Sequence, residues 1–340
     1  MLRNAVGIML LEAVFLTFLT ISTDARLDGR TKIFVTMDIL RLIVSSVTGS
    51  TGEVYSIVPG DAEPHGFTLT PSVVRNASDA DLIVLTGHME WENDLVKRVA
   101  EEKGVEPDSI CLNLLDLVEK NGTILELEGG SNIHGFWLLP DNAVLIARAL
   151  RDRLSVLRPE NSEEYWSNCM VFEEKVSSLK IFLERLSERH GLSGRKAVIG
   201  FYAEQYVVEA MGLKVGAVLV GEGEAISPGS LSRVYGGLRS GEYACVVVSD
   251  TALLMSGVQN ALREISKDTG CPIAYVSVVS ASGVKDYDSI MYYNAGQVYS
   301  ALLSERGSVS SGFNIYLLAT LLALLVIVLE TIILVRRSNA

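Results

Sequence analysis

Four histidines, at positions 65, 88, 134 and 190, carry most of the chemistry this sequence offers. His65 lies in Val58-Pro-Gly-Asp-Ala-Glu-Pro-His-Gly-Phe, and His88 in Thr86-Gly-His-Met-Glu, each directly after an apolar run that reads as a strand. His134 lies in a glycine-containing loop, Asn132-Ile-His-Gly-Phe-Trp. A neutral imidazole binds divalent transition metals, and such ligands together with carboxylates suit Zn2+ or Mn2+. His190 ends a charged helical stretch, where a cation favours the C-terminal dipole, so its role reads as structural. Nucleophilic and phosphate chemistry lack a motif: there is no GxSxG, HExxH or P-loop lysine sequence, and no GxGxxG after a strand. The chain therefore reads as a binder and not an enzyme.

The four cysteines, 111, 169, 245 and 271, show no CxxC spacing, which excludes a zinc knuckle. Cys245 and Cys271 fall at the starts of two neighbouring expected strands and can be either a disulfide or two buried thiols.

The 340 residues are 49% hydrophobic and 21% charged, which excludes disorder. The net charge of −12, without a basic stripe, repels phosphate backbones and argues against nucleic-acid binding. Charges at the two ends cancel (Arg3, Arg336 and Arg337 against Glu12, Asp24 and Glu330), so the acidity belongs to the middle.

The mean hydropathy of +0.31 reflects apolar ends. Residues 313–335 are apolar apart from Asn314, Tyr316, Thr320, Glu330 and Thr331. As a helix they would extend about 34 Å, enough for a ~30 Å hydrocarbon core. Arg336 and Arg337 follow, placing the tail 336–340 in the cytoplasm and the preceding chain outside. At the other end Arg3, an apolar stretch 6–21 and Thr23-Asp24-Ala25 read as a signal peptide over 1–25, or as an uncleaved N-terminal anchor. No cysteine follows that stretch closely, so the C-terminal helix is the expected tether. The expected location is the cell membrane, single-pass, with the binding domain extracellular.

Between the ends, short apolar runs alternate with helical patterns, which indicates βαβ units and parallel sheets. Strands are expected at 32–36, 53–58, 81–85 and 109–112, with helices at 37–47 and 93–102. A second block has strands at 197–202, 214–220, 245–249 and 273–278, with helices at 204–211, 228–239, 256–269 and 286–304. Helical segments 141–157 and 161–190 separate the blocks, and the second would form a rod of about 45 Å. The expected fold is α/β: an N-terminal lobe over 26–140, connecting helices with a long rigid spine over 141–192, and a C-terminal lobe over 193–306. Each lobe carries a mostly four-stranded parallel sheet flanked by helices, with a cleft between lobes. Open parallel sheets bind ligands beyond the carboxyl ends of their strands, so site residues are expected there.

The stretch 58–71, Val-Pro-Gly-Asp-Ala-Glu-Pro-His-Gly-Phe-Thr-Leu-Thr-Pro, resembles the first signature of the zinc- and manganese-binding solute-binding proteins of ABC transporters. His134-Gly-Phe-Trp-Leu-Leu-Pro-Asp-Asn-Ala is similar to their second histidine loop, and Ile226-Ser-Pro-Gly-Ser-Leu to a helix start in their C-terminal lobe. The likeness runs from about Lys32 to Leu303 and takes in the spine and the final helix. It implies a divalent cation, Zn2+ or Mn2+, held between lobes and passed to the membrane subunits of an ABC permease. His65 and His134 carry over as first-lobe ligands. In the second lobe, Phe201 stands where a His or Glu ligand is expected, and Ser277 where a carboxylate is expected. Glu204, Tyr202 and Asp250, beside second-lobe strand ends, and His88 from the first lobe are the available substitutes.

Two rivals stay open at this level. With its second-lobe ligands replaced, the cleft could take a metal chelate or small organic solute, for which Phe67, Trp91, Phe136, Trp137, Phe201 and Tyr202 would supply aromatic walls. The scaffold could also serve surface adhesion without transport.

Overall fold

The computed structural model describes residues 29–221, 225–281 and 283–304. The expected leader 1–25 and the apolar segment 313–335 lie outside the described residues, none of whose helices is long and apolar enough to cross a membrane.

The first sheet contains β1 (Thr31–Met37), β2 (Gly52–Val58), β3 (Leu82–Leu85) and β4 (Cys111–Asn113) in the order β2-β1-β3-β4. The second contains β7 (Lys196–Ile199), β8 (Lys214–Val218), β9 (Tyr243–Ser249) and β10 (Ile273–Val276) in the order β10-β9-β7-β8. Every neighbouring pair in both is parallel. Each sheet starts on an inner strand, adds its second strand on one side, and places the other two on the other side. Such a reversal of winding opens a crevice at the carboxyl ends of the strands.

Buried strands explain the continuous apolar runs: Leu82–Leu85 and Tyr243–Ser249 are buried at every position. Helices α1 (Arg41–Thr48), α2 (Pro71–Ala77), α3 (Glu90–Lys103), α4 (Pro107–Ile110) and α5 (Leu114–Asn121) accompany the first sheet. Helices α6 (Pro140–Leu157) and α7 (Ser162–His190) follow. Then come α8 (Glu204–Ala210), α9 (Pro228–Ser240), α10 (Asp250–Leu254), α11 (Val258–Thr269) and α12 (Tyr287–Leu303).

The 29 residues of α7 span about 44 Å. Its buried stripe, Tyr165, Cys169, Phe172, Val176, Leu179, Leu183 and Ser187, advances by three or four residues, as one helical face requires. Through that face α7 packs on α1 and α6 of the first half and on α12 of the second. The spine expected from the charged periodicity therefore touches both halves.

Several elements depart from the sequence expectation. The strand expected at 197–202 stops at Ile199, because residues 201–203 turn and the Phe201 N–H is taken by the Glu204 carboxylate, 3.1 Å away. The stretch expected as strand 109–112 begins with the single-turn α4 and pairs only over β4. A hairpin of β5 (Leu125–Leu127) and β6 (Gly130–Asn132) was not expected. Both residues of its turn, Glu128 and Gly129, have positive φ, which suits a two-residue hairpin. Cys245 and Cys271 are buried reduced thiols and not a disulfide.

Candidate metal centre

His65 lies on the loop between β2 and α2. The Trp91 indole on α3 donates to the Pro64 carbonyl at 2.9 Å, and Phe67 packs against the same indole at 4.9 Å, so the loop is fastened on both sides of the histidine. The Glu63 carboxylate accepts the His65 main-chain N–H at 3.0 Å and lies 2.9 Å from its Nδ1. Burial would raise the Glu63 carboxyl, but hydrogen bonds from His65 and Gly66 outweigh that and hold it below the ordinary carboxylate range. An ionised Glu63 fixes the tautomer: Nδ1 keeps its proton, and Nε2 presents the lone pair.

His88 follows β3 on a turn wrapped around one buried side chain. Glu92, in the first turn of α3, accepts from the N–H groups of Thr86 (2.8 Å), Gly87 (2.8 Å) and Met89 (3.3 Å) and from the hydroxyls of Thr36 and Thr86. Gly87 adopts φ +94°, and a Cβ there would meet Asn113 Oδ1 at 1.9 Å, so the turn admits no other residue. Burial, then the neighbouring His134 and His65, pushes the His88 ring down to about 3. The ring is thus neutral at physiological pH, and its Nδ1 is buried without a hydrogen-bond partner.

His134 follows the hairpin, which is bound to the second half. Asn132 accepts the His134 N–H (3.0 Å) and donates to the Tyr202 carbonyl (2.9 Å) and to Gln205 Oε1 (2.8 Å). The Tyr206 hydroxyl donates to the Asn132 carbonyl at 2.5 Å. Gly135 has φ +91°, and a Cβ there would lie 2.8 Å from the Ala203 carbonyl oxygen, so the two halves meet at this loop.

These three loops bring His65, His88 and His134 to one point. Their ring centroids are 5.3, 5.3 and 5.1 Å apart, and one ligand atom from each lies within 4.8 Å of the others. Among the described residues they are the one group of three or more His, Cys, Asp or Glu able to share an ion. Tetrahedral zinc at about 2.0–2.1 Å from nitrogen sets its ligands roughly 3.4 Å apart, a distance small ring rotations can reach. The rings enclose a cavity of about 20 Å³, lined from the second half by Phe201, Ala203, Thr251 and Val279. That is room for about one water or ion.

The carboxylates expected as substitutes do not join the cluster. Glu204 is fully buried and accepts main-chain N–H groups from Phe201 (3.1 Å) and Ser249 (2.7 Å), tying α8 to the end of β9. Burial outweighs those bonds and pushes its carboxyl up to about 7. Asp250 accepts from the main chain of Thr251 (3.0 Å), Val278 (3.0 Å) and Ser280 (2.9 Å), which holds the loop after β10; burial raises its carboxyl too. Phe201 does reach the cavity, its ring edge-on to His134 at 5.3 Å, while Tyr202 lies 5.7 Å from the same ring. At Ser277 the main chain pairs with the Asn294 amide, at 2.8 and 2.9 Å. Sequence reasoning passed over Glu63, Glu92 and Thr251. Glu63 alone carried a local signal, a carboxylate two residues before a histidine.

Residues 33–301 match the family described as ZnuA, zinc-uptake complex component A, periplasmic. The chain belongs to this family. The ZnuA family supplies a binding component for uptake and is not an enzyme family. A metal ABC transporter substrate-binding lipoprotein of Lactococcus lactis is 26% identical over 299 residues, covering 82% of this chain and 90% of that one. The manganese ABC transporter substrate-binding lipoprotein PsaA of Streptococcus pneumoniae is 22% identical over 291 residues, covering 82% and 91%. Among solved structures, a zinc-bound deletion mutant of ZnuA superposes with a TM-score of 0.67 at 18% identity, covering 81% of this chain and 99% of that one. FpvC of Pseudomonas aeruginosa in complex with Mn2+ gives 0.63 at 20% identity, covering 80% and 98%. These two structural likenesses show the shared two-sheet α/β fold.

Proposed function

We propose that this chain is the external receptor of a metal-uptake ABC transporter, binding one Zn2+ through His65, His88 and His134 and delivering it to the permease. The observation that carries the reading is the cluster itself: three imidazoles from three separate loops with ligand atoms within 4.8 Å of one another. No carboxylate belongs to the cluster, and an all-nitrogen donor set suits zinc, while manganese favours carboxylate and water oxygens. The named uptake roles of the family and of its relatives support the transport step. Those relatives are named lipoproteins. The apolar segment 313–335 is the tether assigned in this reading, with the receptor held outside the membrane.

Zinc titration of the detergent-solubilised full-length chain against a chromophoric chelator tests this. One Zn2+ per chain is expected, with Mn2+ far weaker. Replacing any of His65, His88 or His134 by Ala should cost more than the roughly 10–100-fold of an outer-shell change. Unchanged affinity in all three variants overturns the reading.

A further inference from the structure

All three histidines come from the first half, which leaves a question about the fourth coordination position. The second half contributes four residues to the cavity wall: Phe201, Ala203, Val279 and Thr251. Thr251 is the polar one. It is 4% exposed, and its Oγ1 is buried without a hydrogen-bond partner. A buried hydroxyl without a partner costs free energy, so an orphan of this kind on a cavity wall points to something that occupies the cavity. The neighbouring carboxylates cannot substitute, because Asp250 and Glu204 are tied to main-chain N–H groups.

We propose that the bound cation completes its shell with one water from solvent, and that the Thr251 hydroxyl accepts a hydrogen bond from that water. This rests on the metal reading of the three histidines. Three protein ligands plus a water is a recurrent arrangement for zinc. A metal-bound water is a strong donor, and a neutral hydroxyl is a ready acceptor for it. Thr251 is thus a positioning residue: the second half grips the ion through the water and not by a ligand of its own. The fourth position is then exchangeable, and the ion can leave without breaking a bond to the second half.

Cobalt(II) reports this arrangement, because its visible d–d bands follow the identity of the fourth ligand. The full-length chain loaded with Co2+ should change spectrum when sodium azide is added, as azide replaces the water. Thr251→Val keeps the shape and removes the acceptor. It should weaken Co2+ and Zn2+ binding about fivefold, the scale of one neutral hydrogen bond. The azide-free spectrum should shift as well, and Thr251→Ser should restore both readouts. The metal-free Val variant should be at least as stable as the parent, since it loses an unpaired buried hydroxyl, and that separates positioning from a folding defect. A Co2+ spectrum indifferent to azide overturns the proposal while leaving the histidine site intact, as does a Val variant with parental affinity and spectrum. A parent chain that takes up no Co2+ or Zn2+ removes both readings.

Discussion

The Glu63 carboxylate holds His65 at two points, accepting its main-chain N–H at 3.0 Å and lying 2.9 Å from its ring Nδ1. A carboxylate behind a ligating imidazole sets its tautomer and raises its basicity. Glu63→Ala should therefore weaken Zn2+ binding by roughly 10–100-fold, while the melting temperature of the metal-free protein barely moves. Chelator competition and thermal melts, run on one preparation, check both halves of this expectation.

His88 predicts a pH signature of the metal-free protein. Its ring titrates at an ordinary value near 6.5 when unfolded and at about 3 when folded, chiefly through burial. Between those values the unfolded chain binds the extra proton. The stabilising contribution is thus complete above about pH 6.5 and is lost as pH falls toward 3, at a slope of up to about 1.4 kcal/mol per pH unit. His88→Leu should flatten that part of the curve relative to the parent. Urea denaturation at a series of pH values from neutral to acid, with chelator present, measures the difference.

The turn that carries His88 depends on Glu92, a fully buried carboxylate that accepts three main-chain N–H groups and two hydroxyls. Glu92→Gln turns an acceptor oxygen into an N–H2 donor facing other donors. The expected loss is about 2–3 kcal/mol of folding stability, with a weaker zinc site because the His88 loop is no longer held. The measurements are a urea midpoint shift and a Zn2+ titration below the new melting temperature. A stable Glu92→Gln protein with parental zinc affinity would show that the turn is held by other contacts.

Much of this architecture was legible in the residues. Continuous apolar runs marked most strands, and a three-four spacing over 161–190 marked the spine, because buried parallel strands and amphipathic helices must carry those patterns. His65, His88 and His134 were legible as strand-end or loop histidines. Glu204 and Asp250 looked equally eligible, yet their carboxylates meet main-chain donors, some of them far along the chain: Ser249 for Glu204, and Val278 and Ser280 for Asp250. Local sequence cannot tell a carboxylate that serves a ligand from one that serves the main chain. The hairpin 125–132 escaped for a related reason: its three-residue strands are too short for a period, and its hold on Tyr206 and Gln205 is tertiary.

Phe201 gives the last prediction, because it is the aromatic residue that the second half places in the cavity wall beside His134. Its ring lines the cavity 5.3 Å from His134 and stacks on Tyr202 at 5.0 Å. Phe201→His would place a fourth imidazole beside the cluster, from the second half. Two opposing effects follow. The metal-free protein should lose about 1–3 kcal/mol, since a residue only 1% exposed gives up apolar packing. The metal-bound protein should gain an added ligand, with zinc binding on the order of tenfold tighter, ~1.4 kcal/mol. Zinc should therefore raise the melting temperature of Phe201→His by more than it raises that of the parent. Calorimetric melts with and without saturating Zn2+ decide the matter, and an equal or smaller rise would mean that the ring at 201 faces the cluster without being able to reach its ion.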